Sequence, residues 1–447
     1  MRHGSPAPPS PPKTRKHLSA DALHRLLAAE FHKFPDRRAN ATIALPDALL
    51  SAFAMFSLKD PSLLAFDARR TDENLKGLFG IKQVPSDTRM REILDRLDPE
   101  CLRPVFNAVF RQLQRGKALE PMAFYQGCYL LALDGTGYFS SPTIHCDSCL
   151  EKKNSKTGEI TYAHQMLGAC LVHPDFREVI PLAPEPIVKQ DGTTKNDCER
   201  NASKRLLRKI RQEHPHLPLI IVEDGLASNA PHIRELLDLN MHFILGVKPG
   251  DHGFLFEKLI DAYDEDRVTT IHGRTKDNRP YELSFVNGLP LNESHQDLLL
   301  NFLQYAERDE DGKPVKLFSW VTDFTLTKKN AHQLMRGGRA RWKIENETFN
   351  TLKNQGYQFE HNFGHGNHNL SVVFAMLMML AFLVDQTQQL CCPLFRATWQ
   401  RFGSKRMLWD NLRSHFRHFV FKSMRHLYEV MLLDMAKELA LPTYDTS

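Results

Sequence analysis

LPLIIVEDG, residues 217–225, is a run of apolar and β-branched residues that ends in two acids and a glycine. It is too short for an ordinary helix and reads as a buried strand that delivers its acids to one end. Upstream, CYLLALDG (128–135) has the same form and ends at Asp134. HQMLGACLVHP (164–174) and EVIPLAPEPI (178–187) read as two further strands. The amphipathic helix KNDCERNASKRLLRKIRQEH (195–214) leads into the quoted strand, and APHIRELLDLN (230–240) and MHFILGVK (241–248) follow it as helix and strand. Three strands, helix, strand, helix, strand define an α/β layered domain. Functional groups collect at strand ends in such sheets, which is where Asp134 and Asp224 fall. Glu223 faces the other way if strand alternation persists to that point, and is the second choice.

A third acid comes from RWKIENETFNTLKNQGY (341–357), which reads as a helix stopping at Gly356. At about 100° per residue, Glu345 shares a stripe with Trp342, Phe349 and Leu352, while Glu347 points nearly the opposite way, toward water. A carboxylate on a buried stripe needs its charge compensated. Arg341, one turn back, and Lys353, two turns on, offer an ion pair, and a bound cation is the alternative. Asp134, Asp224 and Glu345 gathered in one place would repel one another unless divalent cations neutralised them. Oxygen-only ligands suit Mg²⁺ or Mn²⁺. Two such ions can activate an attacking oxygen and stabilise a leaving one on a phosphodiester.

Around this core, residues 17–118 read as all-helical. Within them DENLKGLFGI and PSDTRMREILDRL form helix, Gly80 turn, helix, with Ser86 as N-cap. A helical bundle with a solvated basic face and a helix-turn-helix-like DNA reader both fit. Arg89 and Arg91 here, and Lys204 and Arg205 on the 195–214 helix, are candidate phosphate contacts. Residues 250–325, with HGRTKDNRPYELSFVNG and ERDEDGKPVKLFSWVTDF, suggest an inserted strand-rich subdomain. The chain then divides into a basic tail (1–16), helical region (17–118), core (119–249), insertion (250–325), second core part (326–390) and basic helical end (391–447).

Composition narrows the class. With 447 residues, 42% hydrophobic and 25% charged, the chain can bury several domains' worth of core. The net charge of +5 is modest, but residues 396–425 carry eight Lys/Arg against the single acid Asp410, a local basic zone suited to a polyanion. Its aromatics, Trp399, Phe402, Trp409, Phe416, Phe419 and Phe421, read better as packing than as base-stacking platforms. Eight cysteines in this length do not form a disulfide framework, which points to reduced thiols and a cytoplasmic setting. MRHGSPAPPSPPKTRK has no apolar core for a signal peptide and reads as disordered. LSVVFAMLMMLAFLV (370–384) is short of the roughly 20 residues that a membrane span needs and reads as a core helix. HCDSC (145–149) supplies one Cys-x-x-Cys pair, half of a structural zinc site. Cys170, Cys198, His164 and His173 are possible completions that spacing does not select. GHGNH (364–368) reads as a turn.

LDGT, IIVEDGLAS and RWKIENETFNTLKNQGY together resemble the three acid motifs of the DDE transposases of bacterial insertion sequences, nearest to the insertion-sequence-four-like group. The resemblance covers roughly residues 125–390. It implies a ribonuclease-H-like α/β core with a β-rich insertion between the second Asp and the Glu, flanked by helical N- and C-terminal regions. It also implies that Asp134, Asp224 and Glu345 form a DDE triad holding Mg²⁺ or Mn²⁺, as two ions. The activity it implies is cleavage at the element's terminal inverted repeats followed by strand transfer into target DNA. Implied as well are a homodimer in the synaptic complex, Arg341 and Lys353 near phosphate, and a nucleoid-associated place in the bacterial cytoplasm. In the family's Tyr–Arg–Glu–Lys signature, Arg341 and Glu345 match, Gly338 stands at the Tyr position, and Lys353 comes one residue late. A DNA-binding derivative without catalysis and a structure-selective nuclease are the alternatives.

Overall fold

The computed structural model describes residues 17–189, 198–309 and 312–433. The tail expected to be disordered (1–16) and the final stretch of the basic C-terminal region (434–447) lie outside them. Residues 17–118 are helical as read: α1 (Ala20–Phe31), α2 (Leu45–Leu58), α3 (Leu63–Asp67), α4 (Glu73–Phe79), α5 (Asp87–Asp95) and α6 (Arg103–Arg115). Gly80 closes α4 at φ 73°, a left-handed position that favours glycine. The Ser86 hydroxyl accepts the Arg89 N–H at 3.3 Å and opens α5.

The sheet begins with β1 (Tyr129–Ser141), β2 (Leu150–Lys153), β3 (Ile160–Val172), β4 (Ile180–Pro181) and β5 (Glu185–Ile187). After α7 (Glu199–Glu213) come β6 (Leu219–Glu223), α8 (Ala230–Asp238) and β7 (His242–Gly246). β3 runs antiparallel to β1 on one side, while β6 and then β7 run parallel to it on the other. This is the ribonuclease-H-like α/β arrangement, so the fold class read from the sequence holds. The segment 250–325 contributes α9 (Gly253–Asp264), β8 (Thr269–Arg274), β9 (Pro280–Pro290), β10 (Leu299–Arg308) and β11 (Pro314–Thr322). β11 pairs antiparallel with β7, so these strands extend the same sheet to eleven strands, ordered β2-β3-β1-β6-β7-β11-β10-β9-β8 with β4 and β5 on β3. The helix α9 had no counterpart in the strand-only reading of this stretch.

Beyond β11 the chain forms α10 (Ala331–Arg339), a π-helical turn (Ile344–Phe349), α11 (Asn350–Asn354), α12 (Leu370–Cys391), α13 (Pro393–Phe402), α14 (Lys405–His418) and α15 (Met424–Leu433). By length and composition α12 could cross a membrane, but 94% of its apolar window is buried inside the protein. It is a core helix, as its apolar run indicated. α2 packs on it from the N-terminal region, so both regions share one hydrophobic core. The aromatics of the basic C-terminal segment belong to that core. Trp409, Phe416 and Phe421 are buried, and Trp399, Phe402 and Phe419 lie partly buried against it.

Two polar devices fasten this core. The Asp95 carboxylate, at the end of α5, accepts the N–H groups of Asn367, His368, Asn369 and Leu370 at 3.0–3.1 Å. These donors lead into and open α12; Asn369 N–H also reaches the Asp95 carbonyl at 3.0 Å, and the carboxylate serves the others. Asp95→Ala is therefore expected to cost about 2 kcal/mol of stability, read as a lowered denaturation midpoint. The second device is His24 in α1, stacked on Phe79 with ring centroids 4.5 Å apart. Burial pushes its pKa down to about 4. The folded state thus holds a neutral ring that the unfolded chain protonates near pH 6.5. The stability this preserves is complete above about pH 6.5 and is lost as the pH falls through the window down to about 4, by about 3 kcal/mol. Melting temperatures measured across that window should fall less steeply in His24→Leu than in the wild type.

Candidate active site

Asp134 lies in the middle of β1, not at the strand end read from its apolar run, because β1 continues to Ser141 paired with β3. Asp224 follows β6 directly; its carboxylate accepts the Leu226 N–H at 3.0 Å, which fixes the turn that presents it. Both line one open cavity of about 270 Å³, together with Glu199, Arg200, Lys204 and Glu223. Glu223 is buried and partnered: it takes a hydrogen bond from Ser203 Oγ at 3.2 Å and contacts His232 Nε2 at 2.6 Å. Asp224, not Glu223, is the acid free to meet a ligand.

Glu345 is not among the residues that line this cavity; from the π-helical turn it meets Asp134 through Arg341. One guanidinium nitrogen of Arg341 donates to both Asp134 (3.2 Å) and Glu345 (2.9 Å). Burial, then a hydrogen bond with Glu345, raises the Asp134 pKa to about 7, against the opposing pull of Arg341. These carboxyls are crowded enough for one to hold a proton near neutrality, and a cation could take that proton's place. The donor set is all oxygen and fits Mg²⁺ or Mn²⁺.

The stripe drawn on a regular helical wheel is only partly realised. Phe349 and Leu352 are buried as expected, but Trp342 is 47% exposed. The reason is the π turn: its wider winding breaks the regular angular step on which the stripe was drawn. Glu347, expected to point toward water, is instead the more buried of the two acids: its side chain is 24% exposed against 37% for Glu345, and it pairs with Arg177 at 3.2 Å. The glycine at the Tyr position also has a cause. A Cβ on Gly338 would sit 2.6 Å from the indole nitrogen of Trp320 on β11, and one on Gly337 would sit 2.7 Å from the Phe124 ring. Here the strand supplies the aromatic ring, and the helix must be bare to receive it.

Of the remaining basic candidates, Lys204 lines the cavity. Arg205 is held by Glu185 at 2.8 Å, and Lys353 pairs with Glu360 at 2.8 Å. Arg89 pairs with Glu92, and Arg91 with Asp87. Neither arginine lines the cavity shared by Asp134 and Asp224. A further acid escaped the sequence reading. Glu199, at the start of α7, sits so close to Gly135 that a Cβ there would lie 2.2 Å from its Oε1. Burial, then the charges of Asp224 and Glu223, raise the Glu199 pKa. Only its place among acids in space distinguishes it; along the sequence it looks like any first-turn helix glutamate.

A family model described as the Transposase DDE domain matches residues 151–383, just over half of the chain. The chain belongs to this DDE transposase family. The match includes Asp224 and Glu345 and begins after Asp134. Among solved structures, the cryo-EM structure of a piggyBac transposase synaptic complex with hairpin DNA is similar to this chain with a TM-score of 0.40 and 13% identity, over 97% of this chain and 84% of that one. No curated protein matches the chain.

Proposed function

We propose that this DDE transposase cleaves DNA at the ends of an insertion-sequence element and joins the freed 3′-OH to target DNA, in a cut-and-paste reaction of the insertion-sequence-four-like type. The observation that carries the reading is the single Arg341 guanidinium bound to both Asp134 and Glu345, beside a cavity that Asp134 shares with Asp224. Asp134, Asp224 and Glu345 are the residues to hold two divalent cations. When bound, such ions supply a nucleophile at neutral pH and neutralise charge on the leaving oxygen. Arg341 keeps Asp134 and Glu345 side by side, and the Leu226 N–H holds Asp224 at the cavity mouth. Lys204 on the cavity wall is placed to meet a DNA phosphate. The other basic residues, Arg89, Arg91, Arg205 and Lys353, sit in ion pairs; the exposed ones among them cost little to exchange for phosphate contacts. A homodimer bridging two element ends, acting in the bacterial cytoplasm on the nucleoid, completes the reading.

The test uses the inverted repeats that flank the gene as DNA ends, with Mg²⁺ or Mn²⁺. Joining of a 3′-OH end into a second duplex supports the proposal. Cleavage without joining would leave a nuclease, and binding without cleavage a DNA-binding derivative; either result ends the strand-transfer reading.

A further inference from the structure

HCDSC and GHGNH are more than two hundred residues apart and meet at one point. Cys146 and Cys149 lie on the loop between β1 and β2, His164 on β3, and His365 on the loop between α11 and α12. Their Sγ and Nε2 atoms all fall within 4.8 Å of one another. The two sulfurs are 3.8 Å apart. His164 Nε2 is 3.5 Å from Cys146 and 3.4 Å from Cys149, and His365 Nε2 is 3.3 Å from Cys149. A tetrahedral zinc with bonds of about 2.3 Å to sulfur and about 2.0–2.1 Å to nitrogen requires ligand–ligand edges of roughly 3.3–3.8 Å. These four distances span that range.

Hydrogen bonding alone accounts poorly for this cluster. Cys149 Sγ contacts both imidazoles, and its one thiol proton serves at most one of them, leaving the weakly accepting sulfur for the other. Its sulfur also accepts the Cys146 N–H at 3.4 Å, an arrangement suited to a thiolate. Both imidazoles are buried, and Nδ1 of each has no hydrogen-bond partner among the described residues. Among the described residues, the hydrogen-bonding contacts of these rings are those within the cluster. We propose that Cys146, Cys149, His164 and His365 form a structural zinc site, separate from the all-oxygen carboxylate cluster and independent of the reaction assigned to it. The site is closed, with four protein ligands, which leaves no position for substrate. Its mechanical effect follows from connectivity. His365 begins the approach to α12, after the segment that carries Glu345. The ion would pin that approach to β3 and to the β1–β2 loop, which follows the strand that carries Asp134.

Thus GHGNH, read from the sequence as a turn, supplies the fourth ligand. Of the completions considered there, His164 is among the four residues that converge, while Cys170, Cys198 and His173 are not.

The test is the metal content of the full-length protein purified in Mg²⁺ buffer without chelator. One zinc per chain is expected, released when the thiols are titrated with a mercurial. Cys149→Ser and His365→Ala should lose it, whereas His365→Cys and the control Cys101→Ser should keep it. Removing zinc with a chelator should lower the melting temperature, and zinc but not Mg²⁺ should restore it. If the loss variants do not fold, cobalt exchanged into the wild type replaces them: a thiolate-to-cobalt charge-transfer band is expected. A metal-free wild type that takes up no zinc on supplementation, full zinc content in Cys149→Ser and His365→Ala, or cobalt without that band would each overturn the proposal.

Discussion

Glu345→Gln is expected to lower DNA cleavage by roughly a thousandfold or more, because losing one anionic ligand to a cation withdraws several kcal/mol from the transition state. DNA binding should survive. The amide is nearly isosteric, and its oxygen can still accept from Arg341, which contacts Glu345 at 2.9 Å. The fold should survive as well, since Glu345 is only half-buried and the apolar anchors of its turn, Ile344 and Phe349, are untouched. Glu347→Gln is the matched control. It sits two residues away on the same turn but contacts Arg177, so near-wild-type cleavage is expected. Gel-shift and cleavage assays on the same DNA separate the two effects. If Glu347→Gln proves the damaging change, the assignment of faces on this turn is wrong.

The largest effect on stability is expected at Asp385. This residue of α12 accepts hydrogen bonds from Lys59 Nζ and the Tyr357 hydroxyl in the buried core. Lys59 follows α2, is 2% exposed, and lies 4.0 Å from the Trp409 ring. Burial pushes the lysine pKa down, and Asp385 opposes that shift. Asp385→Ala would strand the ammonium among aromatic rings at a cost of about 3–5 kcal/mol. Lys59→Met combined with Asp385→Leu should cost much less, because neither charge is left alone. Denaturant titrations of Lys59→Met, Asp385→Leu and the double variant measure the coupling directly. Additive losses would mean that the pair does not interact.

The sequence exposed some of these features and hid others, for physical reasons. The strands that carry Asp134 and Asp224 were legible because parallel strands buried on both faces must be apolar throughout, and an acid at the end of such a run stands out. Glu345 was legible as an acid beside Phe349 and Leu352, but Trp342 was misplaced because nothing local announces a π turn. α9 escaped because GFLFEKLIDAYD lies among strands, and its short period-3.6 pattern was outvoted by its neighbours. Glu199 and His365 could not be found at all. Each is unremarkable along the chain and acquires a role only when a distant element arrives beside it.

The single core joining α2 to α12 has a practical consequence for anyone dividing this gene. Expressing the α/β part without the first hundred residues would strip one flank of a 22-residue greasy rod and remove the Asp95 clamp from its start. Such a fragment should come out of cells as aggregate, and the helical N-terminus alone, missing the same rod, should fare no better. Work on DNA recognition by this protein should therefore begin with point variants in the intact chain rather than with excised pieces.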